Sequence, residues 1–200
     1  FAIWAVWGSA PDDVFAVGDV ILHYDGSAWS QMTNPEDPLH AVVGTSATDV
    51  FAVGENGAVW HYDGTAWSSA TKITSNALYG AWVSGTNEVF AVGELGTVLR
   101  YDGSTWSVMT TPTQNLLLGV GGNSPSDIFA VGGGGTILHY DGTAWRSMAS
   151  GTGSHLSGVW ATSPADAFAV GYDGTILHHG EAEPSEAAVV AATVTLQVIS

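Results

Sequence analysis

Cysteine is absent from the 200-residue chain, which excludes disulfide bonds, thiolate metal ligands and a cysteine nucleophile. Basic side chains are nearly absent as well: Lys72, Arg100 and Arg146 stand against 19 carboxylates, for a net charge of −16. Nucleic acids and anionic membrane surfaces are bound through lysine and arginine. The composition therefore argues against both, and it favours neutral or cationic partners.

Catalytic and metal-binding motifs are also missing. The chain has no Gly-x-Ser-x-Gly elbow. Its Asp-Gly turns carry one aspartate each, whereas a calcium loop needs several oxygen ligands. We therefore expect no catalytic residues, no bound metal and no cofactor. The longest apolar run near the C-terminus, residues 187–194, is too short to cross a bilayer, so we expect no membrane insertion.

One phrase, Phe-Ala-Val-Gly, occurs five times and predicts the architecture. It begins at Phe15, Phe51, Phe90, Phe129 and Phe168, so the first step is 36 residues and the next three are 39 residues each. Repeats of this length are typical of stacked or radially arranged copies of one supersecondary unit.

Each repeat divides into four short strand-like segments. A glycine turn separates the second segment from the third, and in the first four repeats Asp-Gly separates the third from a fourth that carries tryptophan. The pattern predicts an all-β fold, a five-bladed β-propeller of four-stranded antiparallel blades. A linear β-solenoid is the alternative, disfavoured because its rungs are shorter and lack hairpins. The predicted blades span about residues 1–38, 39–77, 78–116, 117–155 and 156–180.

The fifth repeat departs from the others after Gly180, where Asp-Gly and tryptophan are both missing. Residues 181–187 resemble a linker, and residues 188–200 end in an alternating apolar and polar pattern. This terminal segment either supplies the missing fourth strand and closes the ring or begins another domain. We favour closure, because an open blade leaves an unpaired edge.

The repeat resembles known propeller families. Gly93 ending the second strand, Tyr101-Asp102 in the third and Trp106 in the fourth resemble the kelch repeat, although only Gly132-Gly133 matches its glycine pair. The chain is also similar to short, glycine-rich repeat propellers of secreted bacterial proteins, and in blade number to the five-bladed lectin tachylectin. The resemblance implies a propeller fold and an extracellular or cell-surface location.

Several side chains recur at equivalent positions, and we interpret them as scaffold. The tryptophans are expected to pack between blades, the histidines to make a hydrogen bond within each blade, and the aspartates to stabilise turns. These sets are Trp29, Trp67, Trp106 and Trp145; His23, His61, His139 and His178, with Arg100 completing the five; and Asp25, Asp63, Asp102 and Asp141.

Variable turns mark the candidate binding face. In a blade, the connections after strands two and four share one face, and here they differ between repeats, whereas those on the opposite face are uniform. Variable loops on a fixed scaffold commonly carry function. The candidate partner-binding residues are Asp19, Glu55, Asn56, Trp60, Glu94, Tyr172 and Asp173, with the aromatics Trp60 and Tyr172 as anchors.

These features favour a non-enzymatic binding module, lectin-like or protein-binding, in the extracellular space. The expected partner is a protein or a carbohydrate. A structural component of a surface or filament assembly is the alternative. A glycoside-active enzyme is the weakest possibility, since no two carboxylates are visibly paired.

Overall fold

A computed structural model describes residues 1–70, 72–85 and 87–180, and these form five antiparallel sheets. Each sheet is built from one repeat, and its strands are hydrogen-bonded in sequence order. Four sheets have four strands, and the fifth has three within the described residues. The predicted all-β, five-bladed propeller architecture is confirmed.

The strands of the first two blades are β1 (Ile3–Ala10), β2 (Asp13–Gly18), β3 (Ile21–Tyr24), β4 (Trp29–Thr33), β5 (Leu39–Ser46), β6 (Asp49–Gly54), β7 (Val59–Tyr62) and β8 (Trp67–Ser69). Those of the third and fourth blades are β9 (Leu78–Val83), β10 (Val89–Gly93), β11 (Val98–Tyr101), β12 (Trp106–Met109), β13 (Leu117–Ser124), β14 (Asp127–Gly132), β15 (Ile137–Tyr140) and β16 (Trp145–Met148). The fifth blade contains β17 (Leu156–Ser163), β18 (Asp166–Gly171) and β19 (Ile176–Gly180).

The first strand has eight residues in blades one, two, four and five. In β1 the small residues after Trp7 continue the strand to Ala10. A shift in the pairing register between Gly8 and Ala10 absorbs the extra residue. Such a bulge keeps the two strands paired while bending one of them, so the turn shrinks to Pro11 and Asp12.

Neighbouring blades pack through their first strands, β1 on β5, β5 on β9, β9 on β13 and β13 on β17. These strands therefore form the inner edge of the propeller. Within the described residues β1 and β17 share no comparable packing. Among residues 1–180, the first and fifth blades therefore each have one face on which no other blade packs.

The phenylalanine of the repeat is buried in the first four blades, and in the first three it lies at the interface with the next blade. Phe51 is 2% exposed, and the next blade covers it with Tyr101 and Trp106, whose ring centroids lie 5.1 and 6.1 Å away. Phe15 is covered in the same way by Tyr62 and Trp67. The tryptophans of blades two to four therefore pack between blades, as predicted. Trp29, in the first blade, is the exception at 49% exposed.

The histidine at the recurring position binds a carboxylate within its own blade, which confirms the scaffold interpretation. His139 Nε2 lies 2.6 Å from Asp127 Oδ1, and its ring stacks on Phe129 at 4.5 Å. Arg100 replaces histidine in the third blade and pairs with Glu88. For Asp13, burial alone would raise the pKa of the carboxyl, but hydrogen bonds from Ser9 and His23 outweigh it and hold the pKa below its usual value.

The fifth blade ends at β19 within the described residues. A cavity of about 340 Å³ opens there, lined by Phe129, Met148 and Leu177 among others. It adjoins Phe129, the phenylalanine that a tyrosine and a tryptophan of the fifth blade would cover if the pattern continued. The predicted linker, residues 181–187, and terminal strand, residues 188–200, lie outside the described residues, so ring closure by this segment stays a prediction.

Candidate functional site

The uniform face of the propeller carries the Asp-Gly turns, each of which is stabilised by hydrogen bonds between its own residues. In the second blade, Asp63 Oδ1 accepts hydrogen bonds from the Thr65 hydroxyl at 2.6 Å and from the amides of Thr65 and Ala66 at 2.8 and 3.0 Å. Gly64 follows at a φ of 89°, a left-handed conformation that glycine adopts without steric cost. The predicted turn role of these aspartates is confirmed.

We expect stability to fall in acid because of these turns. Hydrogen bonds donated by the hydroxyl and amides lower the pKa of Asp63 to about 2, and similar donors lower the pKa values of Asp25 and Asp102 to about 2. An unfolded aspartate has a pKa of about 3.9. The folded carboxylates thus bind protons less readily, so their contribution is complete above about pH 4 and is lost as pH falls towards 2.

The measurement is the melting temperature between pH 7 and pH 2. Asp63→Asn keeps an oxygen acceptor in the turn but does not titrate, so its melting temperature should vary less with pH below 4 than that of the wild type. An unchanged acid dependence would contradict the assignment.

The opposite face, which we call the Gly-turn face, carries the connections between the second and third strands. In blades two to five each of these is a single 3-10 turn, such as Glu55–Gly57 or Glu94–Gly96. The amide of its first residue donates a hydrogen bond to the carbonyl of the residue just before the blade's inner strand. In the third blade the Glu94 amide donates to the Ala77 carbonyl at 2.9 Å. Its middle residue is left-handed and points outward, as in Leu95 at a φ of 53°. The turns are therefore fixed in place, and they differ in side chain.

Three aromatic rings from successive blades stack beside these turns, at the start of the inner strands. Trp4 lies 4.8 Å from His40, and His40 lies 5.0 Å from Tyr79, measured between ring centroids. We call this set, Trp4, His40 and Tyr79, the aromatic ladder. Trp4 is half exposed, and the other two rings are partly buried. The ladder thus places three aromatic rings at the inner edge of the Gly-turn face, and Trp4 is the most exposed of them.

Two of the predicted site residues flank the ladder. Glu55 Oε1 lies 2.8 Å from His40 Nε2. Glu94 Oε2 accepts the Ala77 amide at 3.1 Å. Burial and then the charges of Glu94 and Glu55 raise the pKa of the Tyr79 hydroxyl. The structure therefore brings Glu55 and Glu94 together around Tyr79, where they form an acidic border to the aromatic surface.

The remaining predicted residues on this face are spread along its rim. Asp19 accepts the Ala2 amide at 2.7 Å. Asn56 donates to Asp37, which also accepts from Lys72 at 2.6 Å.

Two further candidates belong to the fifth blade. Tyr172 lies 5.8 Å from His155, measured between ring centroids, and is exposed. Asp173 accepts the Ser154 hydroxyl at 3.1 Å. This pair is separated from the ladder, which belongs to blades one to three.

Trp60 lies in β7, the strand that follows the Gly turn of the second blade. Its partly buried side chain packs against the core between blades one and two. One edge lines a cavity shared with Asp37 and Lys72. Trp60 and Tyr172 are thus not neighbours, and the structure does not join them into one aromatic site.

The aromatic ladder was missed at the sequence level. Its members occupy the position after the leucine or isoleucine that starts each inner strand, filled by Trp4, His40, Tyr79, Leu118 and Ser157 in the five blades. The variation of this position between repeats is a signal of the same kind that singled out the turns.

The described residues hold no group of three or more histidine, aspartate or glutamate side chains arranged to bind a metal ion. Across the same residues, no helix is long and apolar enough to cross a membrane. All three basic side chains are paired, Lys72 with Asp37, Arg100 with Glu88 and Arg146 with Asp141. No lysine or arginine among the described residues pairs with Glu55 or Glu94, and the basic side chain that contacts Glu55 is His40.

A solved structure of YCF48 bound to a D1 peptide has a similar fold, with a TM-score of 0.65 at 16% sequence identity. The match covers 88% of this chain and 62% of YCF48, so the chain spans less than two thirds of that protein's length. At this identity the likeness shows the β-propeller fold alone. No protein-family model and no curated protein matches the chain.

Proposed function

We propose that the chain is a non-enzymatic module that binds a protein segment on its Gly-turn face. The observation that carries the proposal is the aromatic ladder with Glu55 and Glu94 beside it. Ring faces attract a lysine or arginine side chain through cation–π interactions, and the two carboxylates add a charge of the right sign. A segment that is basic at this point fits the site best.

The known neighbour supports the same class of function, because YCF48 has a similar fold and its structure contains a bound peptide. The net charge of the chain also favours a basic partner. A net charge of −16 steers cationic partners towards the chain and repels acidic ones. An extracellular location is part of the proposal and rests on the resemblance of the repeats to those of secreted bacterial propellers.

The test uses the whole chain against an array of synthetic peptides that vary in lysine and arginine content, with a glycan array in parallel. We expect binding to basic peptides that weakens with added salt. Joint replacement Glu55→Gln and Glu94→Gln should weaken binding roughly tenfold, or about 1.4 kcal/mol. Asp12→Asn, which removes an exposed carboxylate from the opposite face, should leave it unchanged.

Binding to glycans but not to peptides would replace the proposal with a lectin function. Equal loss in the Asp12→Asn variant would show that overall charge, and not the ladder, controls binding.

A further inference from the structure

The middle residue of the Gly turn has the same left-handed backbone conformation in blades two to five. The four residues are Asn56 at a φ of 53°, Leu95 at 53°, Gly134 at 62° and Asp173 at 57°. Glycine adopts this conformation without steric cost, and asparagine and aspartate tolerate it through their short polar side chains. Leucine has neither property. Leu95 is therefore the residue that fits this position least well.

Packing within the chain does not explain the leucine. Its side chain is 64% exposed, and it belongs to none of the apolar clusters that the described residues form. A single exposed leucine is ordinary on a protein surface, but a leucine held at positive φ is rare. Residues in such costly conformations concentrate where a ligand is bound. The position of Leu95 therefore points to a contact with a partner.

The turn that carries Leu95 joins the aromatic ladder to the fourth blade. Glu94, the residue before Leu95, exchanges two hydrogen bonds with Ala77, at 2.9 and 3.1 Å. Ala77 precedes the strand that contains Tyr79, the last ring of the ladder. On its other side the turn lies against β13, where the partly buried Leu118 takes the ladder position. Beyond Tyr79 the inner edge of the Gly-turn face thus changes from aromatic to aliphatic.

We propose that Leu95, together with Leu118, binds an apolar side chain that adjoins the basic residue of the partner segment, a role that rests on the function proposed above. The ladder with Glu55 and Glu94 binds the basic side chain, and the two leucines bind its apolar neighbour. The backbone hydrogen bonds of the turn hold Leu95 in place before the segment arrives, so little conformational entropy is lost on binding. Leu95 is then a specificity-determining residue, which selects among basic segments.

The test compares two synthetic peptides that share one lysine-containing sequence and differ in carrying leucine or serine on both sides of the lysine. Leu95→Asn removes the apolar side chain and inserts a residue that tolerates positive φ. We expect its affinity for the leucine peptide to fall about tenfold and its affinity for the serine peptide to stay unchanged, both measured by titration calorimetry. Its melting temperature should rise by about 2 °C.

Two further variants serve as controls. Val108→Asn replaces another exposed apolar side chain of the third blade, on the outer strand β12, and should leave both affinities unchanged. Leu95→Met should retain the preference for the leucine peptide.

Three results would overturn the proposal. Equal affinity of the wild type for the two peptides, or unchanged binding in Leu95→Asn, would remove the role of Leu95 and leave the binding of basic segments at the ladder standing. A lower melting temperature in Leu95→Asn would show that the leucine serves the fold instead. A wild type that binds neither peptide would overturn the proposed function together with this role.

Discussion

Replacing Phe51 by alanine is expected to lower the free energy of unfolding by about 3–5 kcal/mol, the range for deleting a buried phenylalanine. The ring is buried between the second and third blades and contacts His61, Tyr101 and Trp106. Its loss leaves a cavity that three rigid rings cannot collapse to fill. Urea denaturation measures the change, and the melting temperature should fall by roughly 10 °C for a chain of this size.

Phe168→Ala provides a matched comparison, because it removes the same residue from the same position of the repeat. Phe168 is 37% exposed, and among the described residues no later blade covers it. Its replacement should cost less than half as much as that of Phe51. Equal losses at the two positions would contradict the partial exposure of Phe168.

The fold could be predicted because each repeat contains the residues that specify its own turns. Asp63-Gly64 forms a hydrogen-bonded turn with a left-handed glycine, and Gly57 ends the 3-10 turn at a φ of 66°. These features depend on residues close together in the sequence, and comparing the five copies of the repeat shows which positions are constant. The residues at which strands end are harder to predict from sequence. The bulge near Gly8, for example, depends on pairing with Asp13 and Val14 in the next strand, which the order of residues does not reveal.

The candidate site could be predicted only in part, because half of it depends on contacts between blades. Glu55 and Glu94 were found from the variable turns. His40 and Tyr79 were not, since their stacking joins residues 39 positions apart that meet only when the inner strands pack side by side.

Gly93→Ala is the second change for which we expect a large effect, a loss of about 3 kcal/mol, at the upper end of the range for overpacking. The backbone at Gly93 is extended, with a φ of −169°, so conformation is not the reason for glycine. A Cβ there would lie 1.9 Å from the carbonyl oxygen of Ala77. Because that oxygen belongs to backbone, the inner strand itself would have to move away. Thermal and urea denaturation would report the loss.

Gly153→Ala is the control, since a Cβ at Gly153 meets nothing within 4 Å, and it should leave stability nearly unchanged. A Gly93→Ala protein as stable as this control would contradict the steric explanation. The last glycine of Phe-Ala-Val-Gly faces a carbonyl in every blade, at distances from a Cβ of 2.0 Å for Gly18 and Gly54, 1.9 Å for Gly132 and 2.2 Å for Gly171. In the third blade that carbonyl also accepts the Glu94 amide at 2.9 Å. Gly93→Ala should therefore displace Glu94 from Tyr79 as well, and weaken binding at the ladder together with stability.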